Sequence, residues 1–233
     1  MNFFYDLLDD FVSLLFPRLC HACGNHLLRN EKVICTQCYI SIPRTNYHLS
    51  AGNPVEQLFW GRCTITKAAA FSYYTRGSRI RKLVHNLKYR GIKEIGEELG
   101  RIYGYSLKSS GFISDIDLII PIPLHRAKIK KRGFNQSELI CRGLSEATGK
   151  AVDTTSVKRS EKSDTQTNKS RLDRWLNVEG IFEVVKPESL EGKHILLVDD
   201  VITTGSTIDA CASELLKLRG VKVSAVALAV AVL

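Results

Sequence analysis

The sequence predicts an α/β fold with a mainly parallel sheet, preceded by a small cysteine-rich module. Three observations lead to this prediction. From Ala68 onwards, apolar segments typical of strands alternate with segments of helical periodicity. One of these apolar strands runs directly into a turn rich in hydroxyl side chains, within Ile195–Ile208. Near the N-terminus, two Cys-x2-Cys pairs lie close together.

Length and composition are those of an ordinary globular protein of one or two domains, with 233 residues and a hydrophobic fraction of 44%. The formal charge of +9 favours anionic partners, either phosphorylated substrates or nucleic acid, although it serves solubility equally well. No basic region accompanies the apolar stretch Met1–Phe16, so we expect no secretory signal and a cytoplasmic location. The apolar run Val223–Leu233 is too short to cross a bilayer, so no transmembrane segment is expected.

The first residues, Met1–Phe16, have apolar side chains at helical spacing and predict a short amphipathic helix that ends at Pro17. Such a helix either touches a membrane surface or packs on the rest of the protein. Packing is favoured because the polar face is acidic, with Asp6, Asp9 and Asp10.

Four of the seven cysteines, Cys20, Cys23, Cys35 and Cys38, form the two pairs. Zinc prefers four tetrahedral ligands, and each Cys-x2-Cys turn supplies two thiolates. Because four cysteines leave no coordination position open, the pattern predicts a structural zinc ion. The alternatives are reduced cysteines without a metal, or disulfides, and disulfides are disfavoured in the cytoplasm.

We expect an N-terminal helix and zinc module over residues 1–45, a connector over 46–66 and the α/β domain over 67–233. The predicted strands cover Ala68–Tyr74, Asp117–Ile122, Ile181–Val185, Lys193–Val198 and Lys222–Leu233. The predicted helices cover Ser78–Tyr89, Glu94–Leu107, Gln136–Thr148 and Thr207–Arg219. The polar segment Lys158–Asn177 interrupts this alternation, and a loop of this length is either disordered or functional.

The segment Ile195–Ile208 carries the chemistry. Asp199 and Asp200 follow a buried strand, and two carboxylates side by side suit the vicinal hydroxyls of a ribose. The turn that follows opens a helix, whose free N–H groups and dipole suit a phosphate monoester. This turn consists of Thr203, Thr204, Gly205, Ser206 and Thr207. Val201 and Ile202 act as spacers, and the whole segment predicts a ribose 5-phosphate ligand. An ordinary strand–turn–helix with acidic caps is the alternative.

Further basic residues are candidates for binding phosphate groups. Five cations fall within Arg126–Arg132, where they contact pyrophosphate or nucleic acid, or else form a solvated surface. Among them we favour Arg132 as a ligand, because the adjacent Gly133 allows close approach of the backbone. Lys88 either contacts a phosphate or complements the dipole of the helix that it ends. Asn135 and Gln136 either bind a ligand or cap the following helix.

Ile195–Ile208 resembles the binding motif for 5-phosphoribosyl-1-pyrophosphate (PRPP) of type I phosphoribosyltransferases. Three further segments accompany it, namely Leu87–Gly91 (LKYRG), Pro121–His125 (PIPLH) and Arg132–Gln136 (RGFNQ). Together with the paired cysteines, in this order and over nearly the whole chain, they resemble the ComF family of competence-associated proteins.

The resemblance implies a Rossmann-like phosphoribosyltransferase sheet, Mg²⁺ bound with PRPP, and a mobile hood over the site. Asp199 and Asp200 would hold the ribose and offset the positive charge that develops at its first carbon. The segment Lys158–Asn177 stands where the hood would be, so Arg159 and Arg171 are expected to have catalytic roles. ComF-like proteins are linked to the uptake and processing of transforming DNA.

Three functions remain open from the sequence. The first is a phosphoribosyltransferase, a pentosyl-transferring glycosyltransferase that uses PRPP and an unknown acceptor. The second is a non-catalytic protein that binds PRPP and single-stranded DNA. The third is a scaffold whose zinc module engages other competence or DNA-processing proteins.

Overall fold

The computed structural model describes residues 16–160 and 180–231. Its helices are α1 (Thr36–Ile40), α2 (Pro54–Gln57), α3 (Arg79–Tyr89), α4 (Glu94–Ser109), α5 (Arg126–Arg132), α6 (Gln136–Thr148) and α7 (Ser206–Leu215). Its strands are β1 (Ile65–Tyr74), β2 (Leu118–Pro121), β3 (Ala151–Val152), β4 (Val157–Arg159), β5 (Phe182–Val184), β6 (His194–Ile202) and β7 (Lys222–Ala231). Short 3-10 turns occupy Tyr47–Leu49 and Pro187–Ser189.

Five strands form a parallel sheet in the order β1-β7-β6-β2-β3, which confirms the predicted α/β class. Because all five run the same way, their C-terminal ends lie along one edge, where ligands of such sheets bind. The central strand β6 is longer than predicted: Asp199 pairs with Ala227, and Ile202 pairs with Val230. The acidic pair is therefore part of the sheet and is held by its backbone ladder.

The strand predicted at Ile181–Val185 is confirmed as β5, but it lies outside the main sheet. It pairs antiparallel with β4 in a separate ribbon of two strands, with Lys158 opposite Glu183. This ribbon joins the two ends of residues 161–179. Most of the predicted hood segment, including Arg171, lies outside the described residues.

Two apolar layers cover the sheet. On one face, α3, α4 and α6 pack together with the cysteine module in a single core. α4 and α6 approach closely because glycines line their contact, and a Cβ atom at Gly100 would overlap the backbone carbonyl of Ile140. On the other face, α7 packs with connector residues such as Val55 and Phe59.

Other predicted bounds differ in detail. The predicted helix Thr207–Arg219 ends at Leu215, and the basic run Arg126–Arg132 forms a helix that was not predicted. The expected connector, residues 46–66, contains α2 and the first residues of β1. The division into 1–45, 46–66 and 67–233 itself stays a prediction. None of the helices within the described ranges has the length and apolar character needed to span a bilayer.

Candidate functional site

The acidic pair lies at the end of β6, and hydrogen bonds hold it in place. One carboxylate oxygen of Asp199 accepts from the backbone N–H of Asp200 at 2.8 Å and from the Ser137 hydroxyl at 3.4 Å. Asp200 is buried, with 8% of its surface exposed, and its Oδ1 lies 2.7 Å from the Lys88 ammonium. The pair thus joins β6 to the end of α3 and to the start of α6.

Burial, reinforced by the negative charge of Asp200, raises the pKa of Asp199 to about 7. The backbone N–H of Asp200, the charge of Lys88 and the Ser137 hydroxyl oppose this shift. Two neighbouring carboxylates in a poorly solvated position are expensive to ionise. Such a cost at the ligand-binding edge of a sheet is typical of functional sites.

The turn after β6 forms a shallow concavity at the N-terminus of α7. It is lined by Asp199 and the residues from Val201 to Ile208. Thr203, Thr204, Ser206 and Thr207 are exposed, and the hydroxyls of Thr204 and Ser206 lie 2.8 Å apart. Gly205 precedes the helix with a φ of 75° and gives no side-chain cap. The N-terminus of α7 and several exposed hydroxyl groups therefore line the same concavity, a combination that suits a phosphate.

The connector also contributes to this site, which the sequence interpretation missed. Arg62 donates from Nη1 to the carbonyl oxygen of Thr204 at 2.9 Å. Phe59, only 1% exposed, lies directly beneath Gly205. The sequence offered only a weak signal, the two aromatic residues Phe59 and Trp60 close to Arg62.

Arg132 contacts Gln136 and Tyr89, each of which is the chain neighbour of a residue that contacts the acidic pair. Its Nη1 donates to Gln136 Oε1 at 2.8 Å, and its guanidinium lies 5.4 Å from the ring centre of Tyr89. Tyr89 directly follows Lys88, so the LKYRG and RGFNQ segments meet beside Asp200. A Gln136 donor, Nε2, is buried and has no hydrogen-bond partner in the structure.

The remaining basic and polar candidates divide into capping and exposed residues. The Asn135 side chain accepts from the backbone N–H of Ser137 at 3.1 Å and donates to the carbonyl of Ile122, so Asn135 caps α6. On α5, Lys128, Lys130 and Lys131 are exposed to solvent. They are therefore available to a polyanion as well as to water.

Arg159 lies in the β4–β5 ribbon rather than at the acidic pair. Its guanidinium stacks 5.4 Å from the ring centre of Phe182, and its Nε is buried without a partner. Within the described residues, its contacts do not reach Asp199 or Asp200. A catalytic role for Arg159 would require the hood segment to approach the acidic pair. The second hood residue proposed as catalytic, Arg171, lies outside the described residues.

The four paired cysteines come together as predicted. Their sulfur atoms all lie within 4.8 Å of one another, and those of Cys23 and Cys35 are 3.8 Å apart. Four sulfurs at about 2.3 Å from one tetrahedral ion would be separated by about 3.8 Å. Backbone N–H groups of Cys35 and Asn25 donate to the sulfurs of Cys20 and Cys23. This all-thiolate set therefore fits a structural zinc ion.

Comparisons with known proteins agree with this geometry. The family model for the phosphoribosyl transferase domain matches residues 129–233. The chain is 32% identical over 218 residues to the DNA utilization protein YhgH of Salmonella typhi, covering 88% of this chain and 93% of that protein. It is 30% identical over 203 residues to YhgH of Escherichia coli strain K12, covering 85% and 84%.

A third relative is the competence protein ComFC of Bacillus subtilis, with 30% identity over 211 residues, 88% of this chain and 82% of that protein. All three alignments span most of both chains, and the phosphoribosyl transferase match includes the acidic pair and the turn after it. The chain therefore belongs to the ComF family of competence and DNA-utilization proteins, and its α/β domain is a phosphoribosyltransferase fold.

Proposed function

We propose that this protein binds PRPP with Mg²⁺ at the C-terminal edge of its sheet. Asp199 and Asp200 accept hydrogen bonds from the ribose hydroxyls, and the turn from Thr203 to Thr207 holds the 5-phosphate. The observation that carries this proposal is the adjacent pair of carboxylates, Asp200 buried and Asp199 partly buried, which leads through one short turn to the N-terminus of α7. The two carboxylates suit the ribose diol, and the N-terminus of α7 suits the phosphate. One short turn separates the two, as a ribose 5-phosphate requires.

The carboxylates and hydroxyls also suit Mg²⁺, which prefers oxygen ligands. When bound with PRPP, Mg²⁺ would neutralise charge on the pyrophosphate group. Lys88 Nζ lies 2.7 Å from Asp200 Oδ1, and this ion pair orients the carboxylate for a ribose hydroxyl.

The reaction that this site supports best is transfer of phosphoribose. A nucleophile of the acceptor forms a bond to the first ribose carbon while the bond to pyrophosphate breaks, and pyrophosphate leaves with the bonding electrons. The carboxylates offset positive charge on the ribose, and we assign Arg132, Arg159 and Arg171 to the departing pyrophosphate. Arg132 contacts Tyr89, the neighbour of Lys88, whereas Arg159 and Arg171 belong to the hood segment.

Calorimetry tests the ligand assignment. Wild-type protein is titrated with PRPP and Mg²⁺, in parallel with the double variant Asp199→Asn/Asp200→Asn. The control Glu188→Gln/Glu191→Gln removes the same charge from exposed positions. We expect binding to be abolished only in the first variant, and equal affinity in all three proteins would refute the assignment. Release of pyrophosphate with a panel of acceptors then separates an enzyme from a PRPP sensor.

A second candidate function, binding of single-stranded DNA, is supported by one surface. Tyr89 is 62% exposed, and the Arg132 guanidinium lies over its ring. Arg132 is the last residue of α5, the helix that contains the exposed lysines. Aromatic rings with nearby cations suit unpaired bases and their phosphates. The names of the relatives, with their reference to competence and DNA utilization, support a role in DNA uptake. A location in the cytoplasm remains a prediction from the sequence.

A salt titration of DNA binding tests this surface. Replacing Lys128, Lys130 and Lys131 by alanine should flatten the plot of log affinity against log salt by about two, at roughly 0.7 for each phosphate that the variant no longer neutralises. The control replaces three other exposed lysines, Lys186, Lys217 and Lys222. An unchanged slope in the α5 variant would exclude this helix from the DNA site.

We also propose that Cys20, Cys23, Cys35 and Cys38 bind a structural zinc ion. The module presents Leu28 and Ile40 to solvent, with 66% and 74% of their surfaces exposed. These side chains are where we would look for contact with other competence or DNA-processing proteins, the third function that the sequence leaves open.

A further inference from the structure

The connector segment Leu58–Cys63 lies against the turn Thr203–Thr207, although the two are far apart in sequence. Arg62 donates to the Thr204 carbonyl, and Phe59 lies beneath Gly205. Burial, together with the nearby carboxyl group of Asp209 in α7, raises the pKa of Cys63 to about 12, so the thiol stays protonated. The segment therefore contacts the turn at Phe59 and Arg62 and approaches α7 at Cys63.

The apolar anchor explains why the turn contains glycine at this point. A Cβ atom on Gly205 would lie 3.0 Å from Phe59 Cε1 and 3.7 Å from Leu58 Cβ. Gly205 also has a φ of 75°, which other L-residues adopt only with strain. Since Phe59 is almost fully buried, it cannot move away easily. The connector therefore fixes the height of the turn above the sheet.

Arg62 supplies a positive charge, which the turn Thr203–Thr207 itself lacks. The sequence Thr203–Thr207 contains no basic residue, so its hydroxyl and N–H donors carry no full positive charge. A guanidinium has five N–H donors, and the bond to Thr204 accounts for one nitrogen. Arg62 is exposed, so the rest of its fork is open to a ligand at the turn. Guanidinium groups bind phosphate through two parallel hydrogen bonds, which a lysine cannot reproduce.

We propose that Arg62 is a further ligand-binding residue, which contacts the terminal phosphate of a ribose 5-phosphate group held in the turn. This assignment rests on the proposed PRPP site and extends that site to the connector. The bond to Thr204 holds the guanidinium in place before the ligand arrives, so that binding costs little side-chain freedom.

The experiment compares three ligands by calorimetry, each with Mg²⁺: PRPP, ribose 5-phosphate and inorganic pyrophosphate. The proteins are wild type, Arg62→Gln, Arg62→Lys and the control Arg219→Gln, which removes an exposed arginine that follows α7. Arg62→Gln should weaken binding of PRPP and ribose 5-phosphate about tenfold or more, because it removes a charge-assisted bidentate interaction. Binding of pyrophosphate, which has no 5-phosphate, should not change. Arg62→Lys should bind with intermediate affinity.

The two proposals fail in different ways. If wild type binds PRPP and both Arg62 variants bind it equally well, Arg62 is not a ligand and the PRPP site stands. A parallel decrease in affinity for all three ligands would show that Arg62 affects the whole site and not the 5-phosphate in particular, and would also overturn the assignment. If wild type binds neither PRPP nor ribose 5-phosphate, both proposals fall together. Should Arg62→Gln not fold, the comparison of Arg62→Lys with wild type decides the outcome.

Discussion

We expect the charge of Asp199 to make the ligand-free protein less stable than it would be without this charge. Its pKa lies at about 7 in the folded protein, against an ordinary value of 3.8, because burial and Asp200 disfavour the carboxylate. A pKa that is raised on folding favours the folded state when the group is protonated. The destabilising contribution of Asp199 should therefore disappear as the pH falls from 8 towards 4, since the folded protein takes up a proton at this group that the unfolded chain does not.

The variant Asp199→Asn removes this cost, because an amide keeps the acceptor oxygen for Asp200 and Ser137 and carries no charge. The full shift corresponds to about 4 kcal/mol, at about 1.36 kcal/mol for each tenfold change in the proton equilibrium. Asp199 is only partly shielded from solvent and Lys88 is near, so about half of this is a realistic expectation. At about 2–4 °C for each kcal/mol, the variant should melt about 4–8 °C higher than wild type at pH 8.

Thermal melting of both proteins without ligand, from pH 8 to pH 5, checks this expectation. The difference in melting temperature should shrink as the pH falls, because wild-type Asp199 becomes protonated. Asp153 is a control, because its pKa in the folded protein is lowered whereas that of Asp199 is raised. Burial acts to raise its pKa, but hydrogen bonds from Ser156 and Thr155 outweigh this effect and lower it. Asp153→Asn should therefore destabilise the protein at neutral pH.

A constant difference across this pH range, or a lower melting temperature for Asp199→Asn at pH 8, would refute the reasoning. Calorimetry on the same variant gives the functional counterpart. The protein that gains stability should bind PRPP more weakly, because its amide is a weaker acceptor for a ribose hydroxyl.

Three further variants test other parts of the structure. Gly205→Ala adds strain of about 1–2 kcal/mol at a positive φ and also crowds Phe59. Calorimetry should therefore show a PRPP affinity that is lower by about tenfold. Unchanged affinity would mean that the turn tolerates a side chain. Cys20→Ser should lose stoichiometric zinc in metal analysis and melt at a lower temperature, whereas retained zinc would contradict the ligand set. Gly100→Ala should lower the free energy of unfolding in urea by about 1–3 kcal/mol, because the added methyl group overlaps the backbone of Ile140. This loss should outweigh the better helix propensity of alanine. Ser109→Ala, at an exposed position of the same helix, should not lower the free energy of unfolding.

The sequence predicted the bounds of an element correctly where residues at its own ends, such as a capping asparagine or a final glycine, determine where it begins and stops. The helix Gln136–Thr148 was predicted with its observed bounds, because Asn135 caps its start and Gly149 ends it with a positive φ. The strand β6 was predicted to stop at Val198, because two carboxylates are unusual in a buried strand. Its continuation to Ile202 depends on pairing with β7, which only the folded chain supplies.

In the candidate site, too, features formed by adjacent residues were predicted, whereas contacts between distant segments were not. Asp199, Asp200 and the turn after them were predicted because they are contiguous and each residue type has a clear chemical use. The contacts of Lys88 with Asp200 and of Arg132 with Tyr89 were not predictable, since they join segments that are distant in sequence. Arg62 was missed because its partner, the Thr204 carbonyl, lies 142 residues away, and a single arginine in a connector has no distinctive pattern.

The contacts around the acidic pair also indicate why this protein would keep an unfavourable charge. Asp199 and Asp200 could be accommodated more cheaply as apolar residues, since both lie on a strand whose preceding residues form the core. The sheet instead holds both carboxylates at its edge, and Lys88 compensates only one of them directly. Asp199, which has no ion pair of its own among the described residues, lies next to a turn whose donors and nearby Arg62 favour an anion. A ligand with hydroxyl donors on one side and a phosphate on the other would satisfy both halves at once. Neither a simple diol nor inorganic phosphate would do so, and PRPP should therefore bind more tightly than ribose or phosphate alone.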